Sequence, residues 1–350
     1  MTHIPRSWTR IALRSCETGL PTLWIPDAEP VLTSRQSSWR YVRLERYRVT
    51  RFERPATINR HVVAGLCLRG VLETEYRFCS HSERVKARHE AGRIFLHSPG
   101  ELPAQYGRGD LDFLVVEIPS FFFEEAAAED RSEAVKLRSV WAAEDRELQS
   151  LLQSFLDELL QNCPQGSLFE EYLCLSFARS VLSRHSALRD PLHGKTSWLS
   201  SAERRAGCAL LNQGIRQEQS LFDLADALDL PPLRFVYGLK NSCGLFPHEY
   251  LARRRIECAL RMLKQPGIKI ETVAQESGFL DCVQFSAAFG RITGVSPNEY
   301  RDRISRTLNR VDLWQFAGYP HLRQTLKVTP RRRCQCPESD MEATVSSLSG

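Results

Sequence analysis

The chain has 350 residues, 42% of them apolar, with 47 Lys and Arg against 42 Asp and Glu, a net charge of +5. That length accommodates two domains with tails, and the charge is too small to dictate a polyanionic partner by itself. Eleven cysteines without paired metal-ligand spacing fit buried reduced thiols rather than a disulfide framework, and no charged-then-apolar leader or long apolar run is present, so a cytoplasmic chain off the membrane is expected.

Residues 1–40 read as an N-terminal arm. Residues 41–49, 61–68, 72–78, 93–97 and 111–118 are short runs rich in β-branched, aromatic and alternating residues, which predicts strands. Pro99-Gly100 and Gly107-Arg108-Gly109-Asp110 punctuate them as turns. Strands at this spacing over 41–143 predict a small barrel or jelly roll. Its histidines do not suggest a metal: no His-x-His pair occurs, and His81, His89 and His97 are spaced for strands and turns. No Ser-His-Asp elbow, phosphate loop or dinucleotide fingerprint appears either. Neither catalysis, a metal nor a cofactor is therefore expected. A barrel mouth can still hold a small effector, and Arg60, His61, Glu73, Tyr76 and His97 are the candidates to line it.

Two amphipathic helices follow within 144–185. One covers 145–162, with Leu148, Leu152, Phe155 and Leu159 on one side, and the other runs from Ser167 to about His185. Residues 186–198 read as a linker. Residues 304–350 form a tail that turns polar after Arg331-Arg332-Arg333 and is expected to lack fixed structure at its end.

The stretch 199–303 contains one pattern twice, fifty residues apart: Phe235, Leu239, Gly244, Pro247, Tyr250, then Phe285, Phe289, Gly294, Pro297, Tyr300. Ala225 and Ala274 precede the two copies, each followed four residues later by a turn residue, Asp229 or Gly278. Leu221, Leu224, Ala225 and Leu228 form an apolar stripe. Asp229 tolerates positive φ, Pro231 and Pro232 suit a helix start, and Gly244 suits a C-cap. The second copy repeats the plan, with Asp281 as cap. Two helices joined at a steep angle describe a helix-turn-helix, whose second helix enters the major groove. The reading helices fall near 232–242 and 281–292. Pro247 to about Lys264 predicts a long helix holding them apart, ideally by one DNA turn of roughly 34 Å.

Residues 201–303 resemble the two-motif DNA-binding domain of the AraC family of bacterial transcription regulators. Glu249-Tyr250-Leu251-Ala252-Arg253-Arg254-Arg255-Ile256 is similar to the family's linker helix. Gly278-Phe279-Leu280-Asp281, Phe285, Phe289, Gly294-Val295-Ser296-Pro297 and Tyr300-Arg301 are similar to its signature. The run Ala91 to Gly100 resembles an element of the cupin-like sensor domain found in many such regulators, with Arg93 replacing an Asp. The resemblance implies an α+β multidomain protein: an N-terminal cupin-like β-barrel with a helical pair, and a C-terminal all-α double helix-turn-helix domain. It also implies homodimerisation through the helical pair, and double-stranded DNA and RNA polymerase as partners.

The resemblance places Leu233, Arg234, Val236, Tyr237 and Asn241 of the first reading helix, and Cys282, Val283, Gln284, Ser286, Ala287 and Arg291 of the second, at DNA. Few of these are groups that read base edges. Residues 199–306 carry 15 Lys and Arg against 12 Asp and Glu, a modest net +3. The basic residues do cluster at Arg204-Arg205, Arg253–Arg255 and Arg301 with Arg303 and Arg306, as phosphate contacts would. Two functions follow: an AraC-type regulator with unknown effector, or an AraC-like interaction protein with weakened DNA binding whose apolar helix faces hold a protein partner.

Overall fold

The structure is a computed structural model and describes residues 10–78, 84–127, 137–186, 198–265 and 267–306. The N-terminal half is built of strands β1 (Ala12–Ser15), β2 (Pro21–Leu23), β3 (Leu32–Thr33), β4 (Arg43–Arg54), β5 (Thr57–Asn59), β6 (Val62–Arg77), β7 (Arg84–Glu90), β8 (Ile94–His97), β9 (Gly100–Leu102), β10 (Ala104–Ile118) and β11 (Val140–Ala143). All pairings are antiparallel. One sheet has the order β2-β1-β5-β9; the larger runs β11-β8-β6-β10-β4-β3, with β7 also on β6.

The two sheets face each other rather than closing into one hydrogen-bonded barrel, which corrects the barrel expectation to a sandwich. Ile11, Leu13, Trp24 and Ile25 from the smaller side meet Tyr47, Val63, Phe95 and Phe113 from the larger in one buried cluster. Part of the expected arm, from Ala12 on, is thus built into the sheets.

Two expectations for the strands fail for one reason. Residues 61–68 and 72–78 belong to the single strand β6, and the expected turn at Gly107 to Asp110 lies inside β10. Gly70 (φ +91°) and Gly109 (φ +145°) sit where the paired strands touch backbone to backbone. A Cβ on either would lie 2.0 Å from Asp110 O or 2.2 Å from Val71 O. These glycines bend a long ladder that shifts register between Arg108 and Leu111; they do not end it.

The remainder is helical: α1 (Phe121–Ala126), α2 (Arg146–Leu160), α3 (Ser167–His185), α4 (Ser201–Gln213), α5 (Leu221–Asp226), α6 (Pro232–Cys243), α7 (Pro247–Met262), α8 (Ile270–Glu276), α9 (Cys282–Thr293) and α10 (Pro297–Arg306). The expected linker falls largely outside the described residues, as does the tail beyond Arg306. Helix α3 is largely buried up to Leu182, Glu170 and Glu171 included. One continuous core runs from Leu44, Leu96 and Leu114 of the large sheet through Phe122, Phe155 and Phe177 to Phe235 and Leu239 of α6. A second core of Ile256, Ala259, Val273, Ala274, Phe279, Phe285, Phe289 and Tyr300 belongs to the C-terminal motif alone. Helix α7 joins the two: Leu251 lies in the first, Ile256 and Ala259 in the second.

Candidate nucleic-acid interface

The repeat becomes two helix-turn-helix units of one design. In the first, the Ser220 hydroxyl accepts from Phe222 N at 3.1 Å to cap α5. Asp229 turns the chain at φ +53°, Pro232 occupies the first turn of α6, and Gly244 closes it in the left-handed region with its N–H on Lys240 O at 2.8 Å. In the second, Gly278 turns at φ +92° with its α-carbon against Ile215, where a Cβ would lie 2.1 Å from the carbonyl oxygen. Asp281 accepts from Gln284 N at 2.7 Å, and Gly294 N–H closes α9 on Gly290 O at 2.8 Å.

The faces of the two reading helices differ sharply. On α6, Leu233 is 3% exposed and Val236 0%, both in the core that includes α1 and α3. This corrects their assignment to an exposed reading face: both side chains lie inside a core shared with the N-terminal region. Tyr237 is half-buried there, its hydroxyl 3.3 Å from Ser176 Oγ of α3 and its ring 4.7 Å from the Arg179 guanidinium. Arg234 pairs with Glu203 at 2.9 Å, while Asn241 is exposed.

The same junction is fixed at α5. The Glu171 carboxylate accepts from Leu221 N at 2.5 Å and from the Ser220 hydroxyl at 3.2 Å, and Phe222 packs on Phe121 and Phe122 at 5.6 and 5.4 Å. Burial pushes the Glu171 carboxyl up to about 7. The sequence signal for this junction is the Glu170-Glu171 pair inside an otherwise apolar helix.

On α9, Val283 (58% exposed), Ser286 and Arg291 face outward and Cys282 and Ala287 are half-exposed. Gln284 does not: it is buried, and its Oε1 accepts from Leu280 N at 2.8 Å, so it caps the helix.

Residues 224–303 match the family described as a helix-turn-helix domain. This part of the chain is an AraC-type DNA-binding domain. The chain is 30% identical over 150 residues to a putative AraC-like transcription regulator from Streptomyces lividans, covering 42% of this chain and 49% of that protein. It is 27% identical over 155 residues to the arabinose operon regulatory protein of Escherichia coli, covering 43% and 51%. The chain thus spans about half the length of the curated relatives it matches. ToxT from Vibrio cholerae aligns over 76% of this chain and 99% of its own at 15% identity, with a TM-score of 0.29, a likeness that carries no weight.

Within the AraC-type domain the arginine clusters divide. Arg255 donates to Ile215 O at 2.8 Å and Gln217 O at 2.9 Å, and burial lowers it to about 10; it ties α7 to the loop after α4. Arg254 binds Asn212 Oδ1 at 2.9 Å and also Glu257. Arg301 reaches Ile268 O at 3.1 Å. Much of the expected phosphate-contacting charge therefore already holds helices together.

Of the effector candidates, Tyr76 and His97 are buried inside the sandwich, each against the Trp141 ring, and the other three are not. Arg60 is exposed, and Glu73 lies outside, 3.5 Å from Arg88. His61 is near the start of β6, with its Nδ1 accepting from Ser120 N at 3.4 Å. Strand alternation sends these three outward or to the rim. Tyr76 donates to His89 Nε2 at 2.7 Å and accepts from Gln105 Nε2 at 3.1 Å. The sequence reading missed Arg54, Trp24 and Trp141, which surround this interior. His81 lies outside the described residues. Among the described residues, no group of three His, Cys, Asp or Glu side chains is placed to hold a metal, and no helix is long and apolar enough to cross a membrane.

Proposed function

We propose that this protein is a cytoplasmic DNA-binding transcription regulator. Helices α6 and α9 enter successive major-groove segments, RNA polymerase is the partner at the promoter, and the N-terminal sandwich receives a small-molecule effector. The observation that carries this reading is the duplication itself: two capped helix-turn-helix units held by one helix, α7, whose residues enter both cores. The packing of Tyr237 of α6 on Ser176 and Arg179 of α3 supports a regulated form, because α6 has to leave α3 before it can reach a groove. Events at the sandwich are thereby coupled to DNA through α3.

A protein-partner reading draws on Leu280 and Val283, 64% and 58% exposed at the start of α9; the burial of Leu233 and Val236 removes its other support. Val283→Asp separates the two. An acid at this exposed position repels phosphate without disturbing the core, so duplex retention at low salt should fall several-fold. Retention equal to the wild type would favour the protein partner.

A further inference from the structure

Among the described residues, the sandwich interior holds a cation with no counter-ion. Arg54, the last residue of β4, is fully buried, and its Nε and both terminal nitrogens lack a hydrogen-bond partner. Its guanidinium lies 4.4 Å from the centre of the Trp24 ring. His97, also fully buried, has an unpartnered Nδ1 and stands among Trp24, Phe95 and Trp141, with ring centres 5.9, 5.5 and 5.0 Å away. A cavity of about 20 Å³ opens between Trp24, His89, Phe95, His97 and Gln105, room for about one water-sized group.

The electrostatics run one way. Burial lowers Arg54 to about 10, which leaves it charged at neutral pH. Burial also holds His97 well below its ordinary value, with Arg54 adding to the effect, and lowers His89 to about 4, so both are neutral. Other deeply buried charges have partners: Glu45 has Arg10, Tyr47 and Ile11 N, Glu117 has Arg43, Glu170 has the N–H groups of Arg40, Tyr41 and Val42, and Glu171 holds Leu221 N and Ser220 on one oxygen, its other oxygen lacking a partner. An unpaired buried cation is strongly unfavourable, and a guanidinium is the side chain best shaped to take a carboxylate with two parallel hydrogen bonds.

We propose that the sandwich interior binds a small organic acid, with its carboxylate on Arg54 and its body among the Trp24, Phe95 and Trp141 rings. His97 Nδ1 supplies a second polar contact, and the body enters by moving the aromatic walls apart. This names the chemical class of the effector in the proposed function and rests on that reading. The binding is measured on the protein alone, so failure to bind DNA leaves it standing and failure to bind the acid leaves DNA reading intact.

The test is calorimetric titration of the full chain with sodium acetate, benzoate and octanoate, against sodium chloride and benzyl alcohol. Saturable binding of at least one carboxylate, with neither control binding, is expected. Arg54→Met should weaken it at least tenfold and, by removing an uncompensated charge, raise the unliganded melting temperature by a few degrees. Arg54→Lys, which keeps the charge but loses the fork, should fall between. No saturable binding of any carboxylate by the wild type overturns the proposal, whatever the variants do. So does chloride binding as tightly, which marks a simple halide site, or undiminished binding by Arg54→Met. A lowered melting temperature in Arg54→Met with binding unchanged assigns Arg54 to the scaffold.

Discussion

Replacing Phe285 with alanine is expected to unfold the second helix-turn-helix while leaving the first folded. Phe285 is fully buried, with Phe279 and Phe289 rings centred 5.4 and 5.5 Å away and Tyr300 next in the stack, 5.6 Å from Phe289. Truncating a buried phenylalanine costs roughly 3–5 kcal/mol. The core that loses it is the small C-terminal one, separate from the large core running through α3 and α6, and a unit of that size has little stability to spare. Amide exchange should therefore show protection lost across α8, α9 and α10 and retained in α3 and α6. An unchanged melting profile would contradict this division of the core.

Ser176→Arg is expected to raise DNA affinity. Ser176 is buried on α3 where Tyr237 of α6 meets it at 3.3 Å. A long charged side chain there has to be overpacked into the junction or push α6 away, and overpacking costs about 1–3 kcal/mol. If that energy opens the junction, the binding-competent fraction rises and apparent affinity rises with it, by about tenfold for each 1.4 kcal/mol. The substitution lies outside both reading helices, so it leaves their contact groups unchanged. The check is duplex affinity by anisotropy beside the wild type. Equal affinity would mean that the contact between α3 and α6 does not limit access to DNA.

The C-terminal units were legible because backbone chemistry fixes their landmarks. Gly244 and Gly294 mark left-handed C-caps, Asp229 and Gly278 mark positive-φ turns, and Asp281 marks an N-cap; each sits where its residue type demands. The pair α2 and α3 was legible from apolar spacing. Strand β7 was not: Arg84, Lys86 and Arg88 alternate with Val85, Ala87 and His89, but the inward side chains are too small or polar to mark a buried face. The long strands β6 and β10 were obscured by glycines that serve backbone contact rather than turns. The apolar residues on α6 looked like a weakened base-reading face. What a single sequence does not carry is that they lie in the core shared with α1 and α3, a long-range burial with no local signature. Arg54 was equally silent: in a strand with five arginines, only the fold reveals which one points into the core.

The most direct measurement is selection of genomic DNA fragments by the purified full chain at two salt concentrations, with sequencing of what is retained. The account predicts enrichment of a site with two half-sites about one helical turn apart, roughly 10 bp, whose retention falls steeply as salt rises. Retention no greater than for random fragments, for the wild type and for Ser176→Arg alike, would contradict it.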